Sequence, residues 1–265
     1  PDQMAICVSG GSPFGVLMVN VAPCNDLLSS GTFSFLRYLP QSNNKHTENL
    51  FDPISDQNTV NENLRTEILT RYQTKLGKSI TKDDIFFYIY GILHSNEYLN
   101  TYSSNLSKEL PRIPFPTSEK DFFGFSKGGK QLAEIHSGYE SLEPHKELQI
   151  IGEPKNKAAL KVTKMRFNKT EKAIDRTKII YNSGLAIGNI PEEAYRYAIG
   201  TRSAIEWVMD RYQVTQDKKT GIRNDVNDWS TEHGDDGYIF SLLQRIITCS
   251  MKTTEIVAGL PRLKL

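Results

Sequence analysis

The sequence first lacks any long apolar run. No stretch approaches the ~20 apolar residues needed to span a bilayer as a helix, which excludes that class of membrane protein. Cysteine is scarce too. Cys7, Cys24 and Cys249 are odd in number and far apart, so no disulfide framework is readable, and the usage fits a reducing cytoplasm. Charge of one sign is not in excess: 32 Lys and Arg against 31 Asp and Glu give a formal net charge of +1. That balance excludes a polybasic tail but permits a basic face opposite an acidic one. No signal peptide and no initiator methionine opens the chain at Pro1. The expectation from that start is a portion of a longer polypeptide, with other functions encoded upstream.

What is present is an ordinary folding composition. The 265 residues are 38% hydrophobic, 10% aromatic and 24% charged, enough to bury a core in one large domain or two packed smaller ones. Short apolar runs, Ala5–Val8, Gly15–Val21 and Phe33–Leu39, separated by Gly-Ser-Pro punctuation, read as strands. Residues 41–61 are polar and read as a loop or boundary. Three helices follow: Leu64, Ile68, Tyr72 and Leu76, with Gly77 as a stop; Ile85, Ile89, Ile92 and Leu93 behind a Thr81 cap; and Tyr98, Leu99, Tyr102 and Leu106 behind a Ser95 cap. A fourth spans about 121–139. Strands are then expected over Leu160–Phe167 and Lys178–Ile187, with a charged turn at Asn168–Arg176 and a bulge within Val162–Met165. Pro191 opens a helical region carrying Ile205, Val208 and Tyr212. Gln216–Asp236 reads as a polar loop, and a long last helix carries Ile239, Leu242, Leu243 and Ile246 before Gly259. The fold class is therefore α+β: mixed helical segments with short, mostly antiparallel strands, a β-hairpin region and a long C-terminal helix. The organisation divides into a strand-rich segment 1–50, a helical segment 51–145 and a strand-plus-helix segment 146–265.

Catalytic signatures are missing or broken. Gly124-Phe-Ser-Lys-Gly-Gly-Lys130 has the spacing of a phosphate-binding loop, but Gln131 stands where a magnesium-holding Ser or Thr is required, and polar residues precede it instead of a strand. Asp210 with Asp217-Lys-Lys219 echoes a metal-dependent nuclease set, and His233 among Glu232, Asp235 and Asp236 echoes a metal site. Both groupings are equally solvated turns. His94, His136 and His145 have no paired cysteines at zinc spacing. No G-x-S-x-G elbow is present, and the amino-methyltransferase Asp/Asn-Pro-Pro-aromatic motif is absent. The chain reads as non-catalytic, with no cofactor of its own.

The strongest local charge imbalance lies between Lys155 and Lys178. Lys157, Lys161, Lys164, Arg166, Lys169, Lys172, Arg176 and Lys178 are opposed there only by Glu171 and Asp175. A two-stranded ribbon fits the major groove, where such cations neutralise phosphates and arginine reads guanine. The alternative is a solvated outer sheet face. Arg196, Arg202, Arg211, Lys218, Lys219 and Arg223 extend the basic surface, or else pair along helices with Glu192, Glu193, Glu206 and Asp210. Tyr181, Asn182 and Asn189, at strand ends, are candidates for base or sugar contacts, or are turn residues. Phe86, Tyr88, Tyr90 and Trp207 fall on helical stripes and read as core. The DNA-binding set is Lys161, Lys164, Arg166, Lys169, Arg176, Lys178, Tyr181, Asn182, Arg202, Lys218, Lys219 and Arg223, with double-stranded DNA as the partner and no membrane.

Three stretches together carry a resemblance. Asp84–Tyr98 (DIFFYIYGILHSNEY), followed by Leu110-Pro-Arg-Ile-Pro-Phe-Pro116, is similar to the helical segment downstream of the methyltransferase core in Type ISP restriction enzymes and some Type IIG relatives. Leu160–Arg166 (LKVTKMR), and more distinctively Arg202–Val214 (RSAIEWVMDRYQV) with Lys219–Asp225 (KTGIRND), resemble the Type ISP C-terminal specificity domain. The similarity runs from about Ile6 to Leu260. It implies a polypeptide ordered as nuclease, helicase-like translocase, adenine-N6 methyltransferase and target-recognition part, with this chain as the last. Segment 1–50 would then sit at the methyltransferase junction and 146–265 would recognise the target. S-adenosylmethionine, ATP and magnesium would bind upstream, and the upstream methyltransferase and translocase domains become partners. Alternatives are the specificity portion of a Type IIG-like enzyme and a domain-docking scaffold without base readout.

Overall fold

The computed structural model of the chain describes residues 3–28, 31–40, 60–171 and 173–263. Most of the polar segment expected over 41–61, and Lys172 of the basic set, lie outside the described residues. The described residues form an α+β fold in two compact units, dividing after Ala133 and again after Gly259. No described helix is long and apolar enough to cross a membrane.

In the first unit, β1 (Ala5–Ser9), β2 (Val16–Val19) and β3 (Thr32–Leu36) form an antiparallel sheet ordered β2-β1-β3. The continuous apolar run of β1 suits a central strand, and all five of its residues are buried. A second ribbon pairs β4 (Tyr38–Pro40) with β5 (Val60–Glu62). Helix α1 (Thr66–Leu76) stops at Gly77, whose φ of +135° suits a residue without a side chain. Helix α2 (Lys82–Ile92) opens with a capping box. The Thr81 hydroxyl accepts from the Asp84 N–H at 3.1 Å, and the Asp84 carboxylate accepts from the Thr81 N–H at 2.9 Å.

The single helix expected after Ser95 is two, α3 (Asn96–Thr101) and α4 (Ser103–Leu106), because Tyr102 turns out of helical geometry at φ −104°, ψ 14°. The proline-rich segment beyond is tied down by tyrosines. Tyr98 donates to the Arg112 carbonyl at 3.0 Å and Tyr88 to the Pro114 carbonyl at 2.8 Å.

Helix α5 (Glu119–Ser137) swallows the whole Gly124–Lys130 stretch. A phosphate-cradling loop needs free backbone amides, and a helix interior has none to offer. The glycines serve packing instead. A Cβ on Gly129 would collide with the Phe87 carbonyl of α2, and one on Gly91 with the Phe125 carbonyl of α5. The two helices cross at backbone distance because both residues lack side chains. Tyr72, Tyr88, Phe122 and Phe125 close the core around the crossing.

The second unit is built on an antiparallel sheet of β6 (Gln149–Ile151), β7 (Arg166–Lys169), β8 (Ile174–Ile180) and β9 (Ala186–Gly188), in the order β6-β9-β8-β7. After it come the short ribbon β10 (Ala198–Ile199) and β11 (Arg202–Ser203), α6 (Ala204–Arg211), the ribbon β12 (Thr215–Gln216) and β13 (Arg223–Asn224), α7 (Asn227–Glu232) and α8 (Tyr238–Ala258). The core lies between the sheet and α6 and α8. It contains Val162, Met165, Ile179, Tyr181, Ile187, Ile205, Val208, Ile239, Leu243 and Ile247. His136 stacks on Tyr197 with ring centroids 4.7 Å apart, and its Nε2 meets the Thr253 hydroxyl at 2.8 Å.

The hairpin differs from the sequence expectation in register and extent. Its first arm begins at Arg166, since Lys157–Leu160 is a 3-10 turn and residues 161–165 are not strand. Val162 and Met165 are both buried, three residues apart, and strand alternation would send them to opposite faces. The bulge falls between Phe167 and Asn168. Phe167 pairs with Ile179 but Asn168 pairs with Asp175, so Arg176, Thr177 and Lys178 have no β7 partner. The turn itself closes with the Thr170 N–H donating to the Ala173 carbonyl. Within Gln216–Asp236, the expected loop holds part of the β12–β13 ribbon and all of α7.

Candidate nucleic-acid interface

The exposed cations of the second unit divide by what holds them. Lys164, Arg166 and Lys169 flank or lie on β7, which among the described residues is hydrogen-bonded along one edge only, and all three are exposed. None of them forms an ion pair among the described residues; the same holds for Lys218 and Lys219 at the β12–β13 tip. Lys161 and Lys178 are half-buried.

Three arginines of the set, Arg176, Arg202 and Arg223, are held by carboxylates. Arg176 sits on the bulge over the Tyr195 ring at 4.4 Å and the Phe167 ring at 5.1 Å, and donates to Glu206 at 2.9 Å. Glu206 also completes the α6 capping box with Ser203. Burial raises the Glu206 carboxyl, and hydrogen bonds from Ser203 and Arg176 more than reverse that, leaving it below the ordinary range. Arg202 donates to Asp210 at 2.6 Å and Arg223 to Asp225 at 2.7 Å. A groove of about 320 Å³ runs between the β7 region and α6, with Lys164, Phe167, Arg202, Asp210 and Gln213 on its walls.

Two of the residues expected at the interface are spent on the fold. Tyr181 is fully buried, and its hydroxyl donates to the Leu160 carbonyl at 2.9 Å. The Asn182 amide donates to the Ala159 and Lys161 carbonyls at 2.9 and 3.0 Å, while its oxygen accepts from the Gly184 and Leu185 N–H groups. Together they hold the 3-10 turn against the β8–β9 connection. Asn189, at φ +56°, donates to the Glu147 carbonyl. Trp207 is half-buried, its indole N–H on the Ile199 carbonyl, and Tyr88 and Tyr90 are fully buried.

The metal-like groupings are also accounted for. Asp217 accepts from the Lys219 and Thr220 N–H groups and the Thr220 hydroxyl. These bonds hold its carboxyl below the ordinary range and build the ribbon's turn. Asp210 is engaged by Arg202, and His233 stacks on Trp229 at 4.2 Å. Among the described residues, no group of three or more His, Cys, Asp or Glu is placed to hold a metal ion.

Sequence reasoning missed Asn227. Its side chain accepts from the buried Val162 N–H at 2.9 Å, donates back to the Val162 carbonyl at 2.8 Å, and donates to Asp225 at 2.7 Å. No local pattern signals a partner so far away in the chain.

A model of the Type ISP C-terminal specificity domain matches residues 1–242. The chain belongs to this family. No curated protein matches the sequence. Among solved structures, this specificity domain is similar to part of the ATP-dependent Type ISP restriction-modification enzyme LlaBIII bound to DNA, with 31% identity and a TM-score of 0.83. It is also similar to part of a nuclease-deletion mutant of the Type ISP enzyme LlaGI in complex with a DNA substrate mimic (29%, 0.75), and to part of DrdV in a DrdV–DNA complex solved by cryo-electron microscopy (28%, 0.78). Each match covers 100% of this specificity domain but only 16%, 22% and 25% of the respective larger chain.

Proposed function

We propose that this specificity domain recognises a particular sequence in double-stranded DNA, as the target-recognition part of a longer cytoplasmic restriction-modification polypeptide. The observation that carries the reading is the basic edge of Lys164, Arg166 and Lys169 on and beside β7, without ion pairs among the described residues, in a chain of a specificity-domain family. Lys218 and Lys219, in the β12–β13 turn, and the half-buried Lys161 and Lys178 are further candidates for phosphate contacts. Exposed cations without carboxylate partners suit phosphates, because each neutralised phosphate releases condensed counterions. Phosphate contacts fix register on the duplex, and a smaller set of side chains reads base edges.

The chemistry belongs to other parts of the polypeptide. An upstream methyltransferase would bind S-adenosylmethionine and receive the flipped adenine, and an upstream translocase would bind ATP and magnesium, while this domain holds the surrounding duplex. LlaBIII and LlaGI, which carry similar domains within larger chains, support that arrangement.

Neutralising Lys164, Arg166 and Lys169 to Gln tests the reading. Binding should weaken on every duplex, and the slope of log affinity against log salt should become shallower by about 0.9 for each phosphate left without its cation. Unchanged affinity and slope in a folded variant would reject the basic edge as the interface.

A further inference from the structure

Arg223 differs from the other cations in how it is anchored. Its guanidinium donates through Nη2 to Asp225 Oδ2 at 2.7 Å, while the side chain stays 64% exposed. Asp225 is only 19% exposed, and its other oxygen accepts from the Asn227 N–H at 3.0 Å and the Asn227 amide at 2.7 Å. Asn227 is clamped in turn to both backbone polar groups of the buried Val162. A chain of hydrogen bonds thus runs from the core to one exposed guanidinium.

Such a pair is poorly suited to a phosphate. The Asp225 charge offsets that of Arg223 and repels an approaching anion. A guanine edge is neutral and presents two acceptors, O6 and N7, to which arginine donates in a two-pronged contact. Asp225 takes one of several guanidinium N–H donors, leaving others for a base. An arginine already held in place also loses less freedom on binding. Lys218 and Lys219, on the same ribbon and without ion pairs among the described residues, supply the phosphate attraction that Arg223 does not. The other held arginines compare less well. Asp210, which holds Arg202, is itself 46% exposed, and Arg176 is flanked by two rings.

We infer that Arg223 is a specificity-determining residue that reads a guanine in the major groove, with Asp225 and Asn227 as positioning residues. The inference rests on the DNA-recognition reading and adds to it the identity of one base contact.

The test is selection on randomised duplexes by the full-length protein, as wild type, Arg223→Lys and Asp225→Asn. Arg223 is exposed and Lys keeps its charge, so Arg223→Lys folds. Wild type should prefer guanine at one or more positions. Arg223→Lys keeps the charge but not the planar two-pronged fork, so it should weaken that preference at one of them, by up to about 150-fold, with the salt slope unchanged. Asp225→Asn should relax the same position while tightening binding to unrelated DNA, since it removes a negative charge. Replacing that guanine by 7-deazaguanine, which lacks N7, should weaken wild type more than Arg223→Lys. A uniform loss of affinity in Arg223→Lys, with the guanine preference intact, would make Arg223 a phosphate contact and overturn the inference alone. A wild type with no sequence preference at all would overturn the DNA-recognition reading as well.

Discussion

At the scale of single residues, the tightest constraint is the α2–α5 crossing. Gly129→Ala puts a methyl group into the Phe87 carbonyl, and neither backbone can retreat without opening the aromatic core around Tyr88 and Phe125. The expected cost is about 1–3 kcal/mol or more, read as a lower urea midpoint. An unchanged midpoint would show that the helices can separate without penalty. His94 makes a second prediction. Burial pulls its imidazole down from 6.5 to about 4, outweighing the opposing hydrogen bond to the Tyr90 carbonyl. The unfolded chain therefore takes up a proton between those values while the folded chain does not. This contribution is fully present above pH 6.5 and is lost, at about 1.4 kcal/mol per pH unit, as pH falls from 6.5 toward 4. Urea titrations at about pH 7.5 and about pH 5 should show a smaller acid loss in His94→Gln than in wild type.

At the scale of elements, the β12–β13 ribbon depends on one carboxylate. Asp217 is the acceptor for three groups in its turn, so Asp217→Ala should speed hydrogen exchange at the Lys219 and Thr220 amides while barely moving the melting temperature. Protected amides in that variant would contradict this account of the turn. Elements with strong local signals were legible in the sequence. The Thr81 capping box and the apolar periodicity of α8 place their helices within a residue or two of the expectation. The hairpin register was not legible, because distant partners decide it: Asn227 takes both backbone groups of Val162, and the need to bury Met165 three residues later breaks the strand. The candidate site divides in the same way. Its cations stand out as a charge cluster, whereas only the packing shows that Tyr181 and Asn182 face inward.

At the scale of the whole molecule, a formal net charge of +1 hides an uneven distribution. Lys164, Arg166 and Lys169 gather at one sheet edge, so the average charge says little about where DNA would bind. If target choice resides in this domain, transplanting it into a relative such as LlaBIII in place of the similar part should transfer the sites that are modified. A chimera that folds, modifies DNA and keeps the recipient's sites would place target choice elsewhere.

The position of β7 has one more consequence. A strand paired on one side only is a ready template for the same strand of a neighbouring copy, and exposed positive side chains along it discourage such stacking into fibres. Removing the positive charges of Arg166 and Lys169 would remove that protection, and the neutralised variants should be handled dilute for that reason.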